Sequence, residues 1–214
     1  YRTGDDPILY PNIDWYDLIV KPVSAQHKYG VSINGGSDRV AYFVQFNGQY
    51  QDGIYHKSAT NYSQYNVRSN IDIQVTKGLK LGFDFNARQQ HKNYSAFPGK
   101  DYGIFYQTLR AFPTAIDYYP NGMLRWGSNP VALVQDITGY DKTKINTINT
   151  TITAKWDLDF ITKGLSVEGH VAYDFINNNR KQWQTPWEGY DYNEVTREYD
   201  KKVYTKWAYP SLTQ

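Results

Sequence analysis

Along much of this chain every second side chain changes character, and that period limits the fold more than any motif does. In residues 39–50, Val40, Tyr42, Val44 and Phe46 stand on one side and Arg39, Gln45, Asn47 and Gln49 on the other, softened only by Ala41 and Phe43. Residues 64–76 alternate more cleanly, with Tyr65, Val67, Ile71, Ile73 and Val75 against Gln64, Asn66, Arg68, Asn70, Asp72 and Gln74. Residues 79–90 set Leu81, Phe83, Phe85 and Ala87 against Lys80, Asp84, Asn86 and Arg88. Successive side chains leave a β-strand on opposite faces, whereas helical spacing would scatter these residues around the axis. Ile148, Ile152, Ala154, Trp156, Leu158 and Phe160 read the same way against Asn149, Thr151, Thr153, Lys155, Asp157 and Asp159. So do Leu165, Val167, Val171, Tyr173 and Phe175 against Ser166, Glu168, His170 and Asp174. A weaker opening strand around Tyr29, Val31 and Ile33 makes six. The expected fold is all-β, with one apolar and one polar face to the sheet.

The connections separate a soluble sandwich from a membrane wall. Asn34-Gly35-Gly36-Ser37-Asp38, Lys77-Gly78 and Ile161-Thr162-Lys163-Gly164 are short turns, where glycine is expected to supply the positive φ of a tight reversal. Long connections lie between them, at residues 51–61, at 91–143 and from 177 onward. Regular exchange of short turn and long loop is the pattern of an antiparallel up-and-down meander in a large transmembrane β-barrel, with turns on the periplasmic side and loops outside. Strands of ~10 residues can cross a tilted bilayer and exceed the ~5–6 residues usual in a soluble sheet. No apolar run approaches the ~20 residues of a transmembrane helix. A mean hydropathy of -0.69 fits either class, because half of each barrel strand is polar. The runner-up is a soluble all-β glycan-binding module. Tyr1 is not an initiator and Pro210-Ser211-Leu212-Thr213-Gln214 carries no closing strand signal, so both ends read as cut points.

Composition excludes several chemistries. A net charge of +2 with scattered Lys and Arg forms no basic stripe, so nucleic acid is not an expected partner. With no cysteine there is no disulfide framework, thiolate zinc site or thiol nucleophile. His27, His56, His91 and His170 lack metal-ligand spacing, and no Gly-x-Ser-x-Gly elbow occurs. Asp157 and Asp159 could hold carboxylates at glycosidase range, but with no pocket partner for either they read as part of a wet strand face. The acidic stretch Glu188, Asp191, Asn193 and Glu194 lacks the ordered ligand ladder of a calcium loop and reads as solvated. No catalytic residue, metal or cofactor is expected, and the chain does not read as an enzyme.

Aromatic residues, 17% of the chain, carry the functional expectation. Tyrosine and tryptophan rings can stack on the apolar face of a sugar while neighbouring polar groups bond its hydroxyls. At strand ends the same rings serve a membrane-interface girdle, which is the reading for Tyr50, Tyr62 and Tyr65. In the loops, Tyr118, Tyr119, Arg125, Trp126, Tyr140, Trp183 and Trp187 are the candidate substrate contacts. Residues 102–111 are expected to form a helix that ends before Pro113. The whole 91–143 loop is expected to be ordered, with Ile104, Phe105, Leu109, Phe112, Val131, Leu133 and Val134 packed away from water.

Several segments resemble the early barrel region of SusC-like (SusC/RagA) TonB-dependent outer-membrane transporters. They are Asn12-Ile13-Asp14-Trp15-Tyr16-Asp17-Leu18-Ile19; Val31-Ser32-Ile33-Asn34-Gly35-Gly36-Ser37-Asp38 leading into Ala41-Tyr42-Phe43-Val44; and Gln51-Asp52-Gly53-Ile54. Tyr65-Asn66-Val67-Arg68-Ser69-Asn70-Ile71-Asp72 with Val75-Thr76-Lys77-Gly78-Leu79-Lys80-Leu81-Gly82, and Ile161-Thr162-Lys163-Gly164-Leu165-Ser166-Val167, continue it in the same order. The resemblance implies a plugged barrel of about 22 strands in the outer membrane of a Gram-negative bacterium. It also implies coupling to TonB, a SusD-like surface lipoprotein partner and an oligosaccharide substrate, with peptide import as the alternative within the family. Plug and TonB box would lie upstream of Tyr1. On this reading residues 1–23 are an extracellular loop segment, 24–90 four strands, 91–143 a long loop with a short helix, 144–176 two strands, and 177–214 a loop and the start of the next strand.

Overall fold

A computed structural model describes residues 6, 8–9, 11–96, 100–127 and 129–204; both chain ends, read above as cut points, lie outside them. Six strands form one antiparallel sheet in sequence order: β1 (Gln26–Gly36), β2 (Val40–Asp52), β3 (Asn61–Gln74), β4 (Leu79–Ser95), β5 (Gly139–Asp157) and β6 (Ser166–Gln184). This is the meander that the alternation and turns predict, since a short turn leaves each strand no nearer partner than its neighbour. The register pairs Gln45 with Arg68, Arg68 with Asn86, Asn86 with Asn149 and Asn149 with Asp174. Gln45, Asn66, Arg68, Asn70, Asp84, Arg88, Asp157 and Glu168 therefore share one face. Val44, Ile71, Phe83, Ile152 and Val171 share the other.

That apolar face is bare. Ile152 is 52% exposed and Val171 73% exposed, and none of the sheet's apolar stripe belongs to the buried core. The core sits instead among the loops at one end, where Trp15, Ile19, Tyr55, Ile104, Ala115, Val131, Leu133 and Val134 pack together. Three helices serve it: α1 (Trp15–Ile19), α2 (Lys100–Arg110) and α3 (Pro130–Val134). Asp14 caps α1, its Oδ1 accepting from the N–H groups of Tyr16 at 2.9 Å and Asp17 at 3.1 Å. The Trp15 indole donates to the Phe112 carbonyl at 2.9 Å, and the Ile13 N–H to Pro113 at 2.9 Å, tying the opening segment to the long loop. All three long connections thus meet in one cap over the end of the sheet that receives them.

Several expectations need correcting. Strands β4, β5 and β6 run to Ser95, from Gly139 and to Gln184, well past the expected limits at residues 90, 144 and 176. Strand β5 ends at Asp157, so Leu158 and Phe160 belong to a turn, with Phe160 73% exposed. Among the turn glycines only Gly164 has positive φ, at 82°. Gly36 lies within β1 and serves by close approach, since a Cβ there would stand 2.5 Å from the Val40 carbonyl oxygen. A second sheet, of β7 (Trp187–Asn193) and β8 (Glu198–Tyr204), stands within the stretch expected to be a loop and the start of the next strand. Ile104, Val131, Leu133 and Val134 are buried as expected, but Phe105, Leu109 and Phe112 are not; Leu109 is 81% exposed, because α2 turns only one side to the core.

Candidate functional site

Five of the seven expected contact residues gather in the cap. Residues 124–126 run beside β7, with Trp126 N–H donating to the Tyr190 carbonyl at 2.9 Å and Tyr190 N–H to the Leu124 carbonyl at 2.8 Å. Trp126 and Trp187 rings lie 5.7 Å apart. Trp187 is buried with Leu124 and Ala132, against Tyr118. The Tyr118 hydroxyl bonds Gln135 Oε1 at 3.1 Å. Tyr119 is buried too; its hydroxyl accepts from the Tyr192 N–H at 3.1 Å and its ring meets Tyr199 edge-on at 4.9 Å. Burial holds the Tyr119 phenol above the usual tyrosine range. Asn129 is wholly buried and braces the loop, its Nδ2 donating to the carbonyls of Asp117 at 2.8 Å and Arg125 at 3.2 Å.

The other two stand apart. Tyr140 and Trp183 are paired across β5 and β6 on the sheet's outer side, and Trp183 is 61% exposed. Tyr140 carries the Lys142 ammonium 4.9 Å from its ring centroid. The seven residues therefore divide by accessibility. Trp187 and Tyr119 are scaffold, Trp126, Arg125 and Tyr118 are partly open to the cap surface, and Tyr140 and Trp183 look outward.

A second polar surface lies below the cap. Gln64, Asn66, Arg68, Asn70, Asp84 and Arg88 line an open cleft of about 530 Å³ on the polar face. Arg68 Nε donates to Asn70 Oδ1 at 3.0 Å, Asn70 Nδ2 to Asp84, and Asn149 Nδ2 to Asp174 Oδ1 at 2.6 Å. These bonds, the first within β3 and the other two across strands, hold the side chains on the polar face and leave charges of both signs there. Higher on this face Arg180 grips buried Asp141 through two bonds of 2.9 and 2.7 Å. The alternation gave these residues one face, but it carried no signal that they would form a cleft. Among the described residues no group of His, Asp or Glu is arranged to hold a metal ion.

No family model matches the sequence. TonB-dependent receptor P26 of Formosa agariphila is 40% identical over 82 residues, 38% of this chain and 8% of that receptor. TonB-dependent receptor P3 of the same organism is 33% identical over 73 residues, 34% of this chain and 7% of that receptor. The fold is similar to that of the RagAB peptide importer in its closed-closed state, with a TM-score of 0.63 at 16% identity. In sequence the chain is like TonB-dependent receptors, and in fold it is SusC/RagA-like. The fold likeness covers 86% of this chain and 22% of the importer chain, and this chain spans under a tenth of either receptor's length. The six-stranded meander therefore has the fold of a stretch of β-barrel wall.

Proposed function

We propose that this chain forms wall and outer cap of a Gram-negative outer-membrane importer that takes up oligosaccharides, working with a SusD-like surface lipoprotein and with TonB. The observation that carries this is the bare apolar face on six long antiparallel strands. A soluble sandwich would cover such a face with a second sheet, as lipid covers the wall of a barrel. The chain supplies passage and contact rather than catalysis. Within the cap, Trp126 and Arg125 are the accessible contacts, a ring for stacking beside a donor for hydroxyls. Tyr119 and Trp187 hold them in place.

Peptide cargo is the second reading, favoured by the likeness in fold to an importer of peptides. Uptake of labelled oligosaccharides and of labelled peptides by cells carrying the full-length protein distinguishes the two. Replacing Trp126 by alanine is expected to reduce oligosaccharide uptake severalfold with the protein still correctly inserted. Unchanged uptake would remove Trp126 from the site, and uptake of peptides alone would assign the importer to them.

A further inference from the structure

The outer side of the sheet changes chemistry partway along its strands. On β5 the side chains Trp156, Ile152 and Ile148 give way to Asn146, Lys144 and Lys142; on β6, Val171 and Phe175 give way to Asn177, Asn179 and Lys181. Lys142 is directly opposite Lys181, and Lys144 follows two residues along the same side with His91 of β4 opposite it. Like charges facing each other across an antiparallel pair, with Cβ atoms ~5 Å apart, destabilise the pair. All three lysines are exposed, and no carboxylate among the described residues pairs with any of them. Asp141 points to the opposite side, where Arg180 holds it. Asp52, on the register line of Lys142, is three strands away and bound to Lys21 Nζ at 2.6 Å. The fold thus concentrates positive charge that no carboxylate among the described residues answers, the Tyr140 ring 4.9 Å from the Lys142 ammonium being its aromatic neighbour.

The height of this cluster identifies what would answer it. A strand that rises ~3.3 Å per residue and tilts by ~40° climbs ~2.5 Å per residue. From Trp156 to Ile148 the outer side then covers ~20 Å of an apolar band that is ~25 Å tall in barrels of this type. The band ends near Asn146. Lys144 stands ~5 Å beyond that edge and Lys142 ~10 Å, in the headgroup layer and within reach of a side chain that extends along the surface.

We propose that Lys142, Lys144 and Lys181 bind the phosphate of an anionic lipid headgroup in the outer leaflet. This inference rests on the barrel-wall reading above. The lipid supplies the charge that makes a like-charged cross-strand pair tolerable, and the pair in turn fixes the height of the wall in the leaflet.

The test compares the full-length protein with a variant in which Lys142, Lys144 and Lys181 are each replaced by glutamine. Both are reconstituted into phosphatidylcholine discs containing a minority of phosphatidic acid, and retained lipid is counted by native mass spectrometry. Wild-type protein is expected to enrich phosphatidic acid, and the variant to lose roughly fivefold of that enrichment per lysine at low salt. Equal enrichment in the two proteins overturns the proposal, as does full displacement of the lipid by added inorganic phosphate, which would make the ligand a free anion. A spin label at Ile152 separates the two readings. Contact of that label with acyl chains, combined with equal enrichment, overturns the lipid site alone. A label that meets no acyl chain overturns the barrel wall and the lipid site together.

Discussion

At the scale of single residues, the cap is organised by buried groups that keep a polar atom satisfied. Tyr119 shows what this means for pH. Its hydroxyl is buried and accepts the Tyr192 N–H, and burial raises its ionisation above the ordinary value near ~10. A phenol that resists ionising in the folded cap, but ionises freely once the cap opens, binds more protons folded than unfolded. Its contribution is therefore whole below the ordinary tyrosine range and declines as pH rises through and beyond it. Limited proteolysis of the cap should speed up over that alkaline window. In Tyr119→Phe the alkaline step should vanish, while the lost acceptor loosens the cap by about 1 kcal/mol at neutral pH. An identical alkaline midpoint in both proteins would assign the step to another group. Gly139 works differently: at φ 103° a Cβ would stand 2.0 Å from the Trp183 carbonyl oxygen, so only glycine can start β5 there.

At the scale of elements, the loop helix separates apolar character from burial. Ile104 is 2% exposed in the cap core, whereas Leu109, one and a half turns along α2, is 81% exposed. Ile104→Ala should cost the cap about 2–5 kcal/mol, and Leu109→Ala no more than about 0.5 kcal/mol; hydrogen exchange of α3 amides would report both. Comparable losses would mean that α2 packs through its other side. The contrast also explains which elements were legible beforehand. The strands could be read because Val67, Ile71 and Ile73 alternate with Arg68, Asn70 and Asp72, a pattern imposed by two different media on two faces. Past Gln89 on β4 and Asn146 on β5 both sides are mostly polar, Ile145 apart, so the alternation fades although the ladder continues. The β7–β8 hairpin and α3 lie in the cap, where neighbours rather than a uniform medium decide what is buried. The same reason hid the split among the candidate contact residues: nothing local to Trp187 or Trp183 says that one is buried and the other open.

At the scale of the whole molecule, the two faces of one strand should respond oppositely to the same charge. Thr151 and Ile152 are adjacent on β5; Thr151 lines the polar cleft, and Ile152 lies on the bare apolar side opposite Val171 and Phe83. In a sandwich that side would be a dry core, in a barrel it is lipid, and in a soluble open sheet it would be water. An arginine at position 152 therefore discriminates among environments that the fold alone leaves alike. At the bilayer midplane a lipid-facing arginine costs about 2–4 kcal/mol, whereas Thr151→Arg enters a wet surface already holding Arg68, Arg88 and Asp84. Urea titration of the full-length protein refolded into phosphatidylcholine vesicles should show Ile152→Arg destabilised by that amount and Thr151→Arg within about 1 kcal/mol of wild type. Moving the arginine up the same side to Asn146 should recover most of the loss, because the cost falls toward zero at the interface. Equal stability of Ile152→Arg and wild type would mean that this face meets water, and the lipid-facing reading of the apolar stripe would then fail.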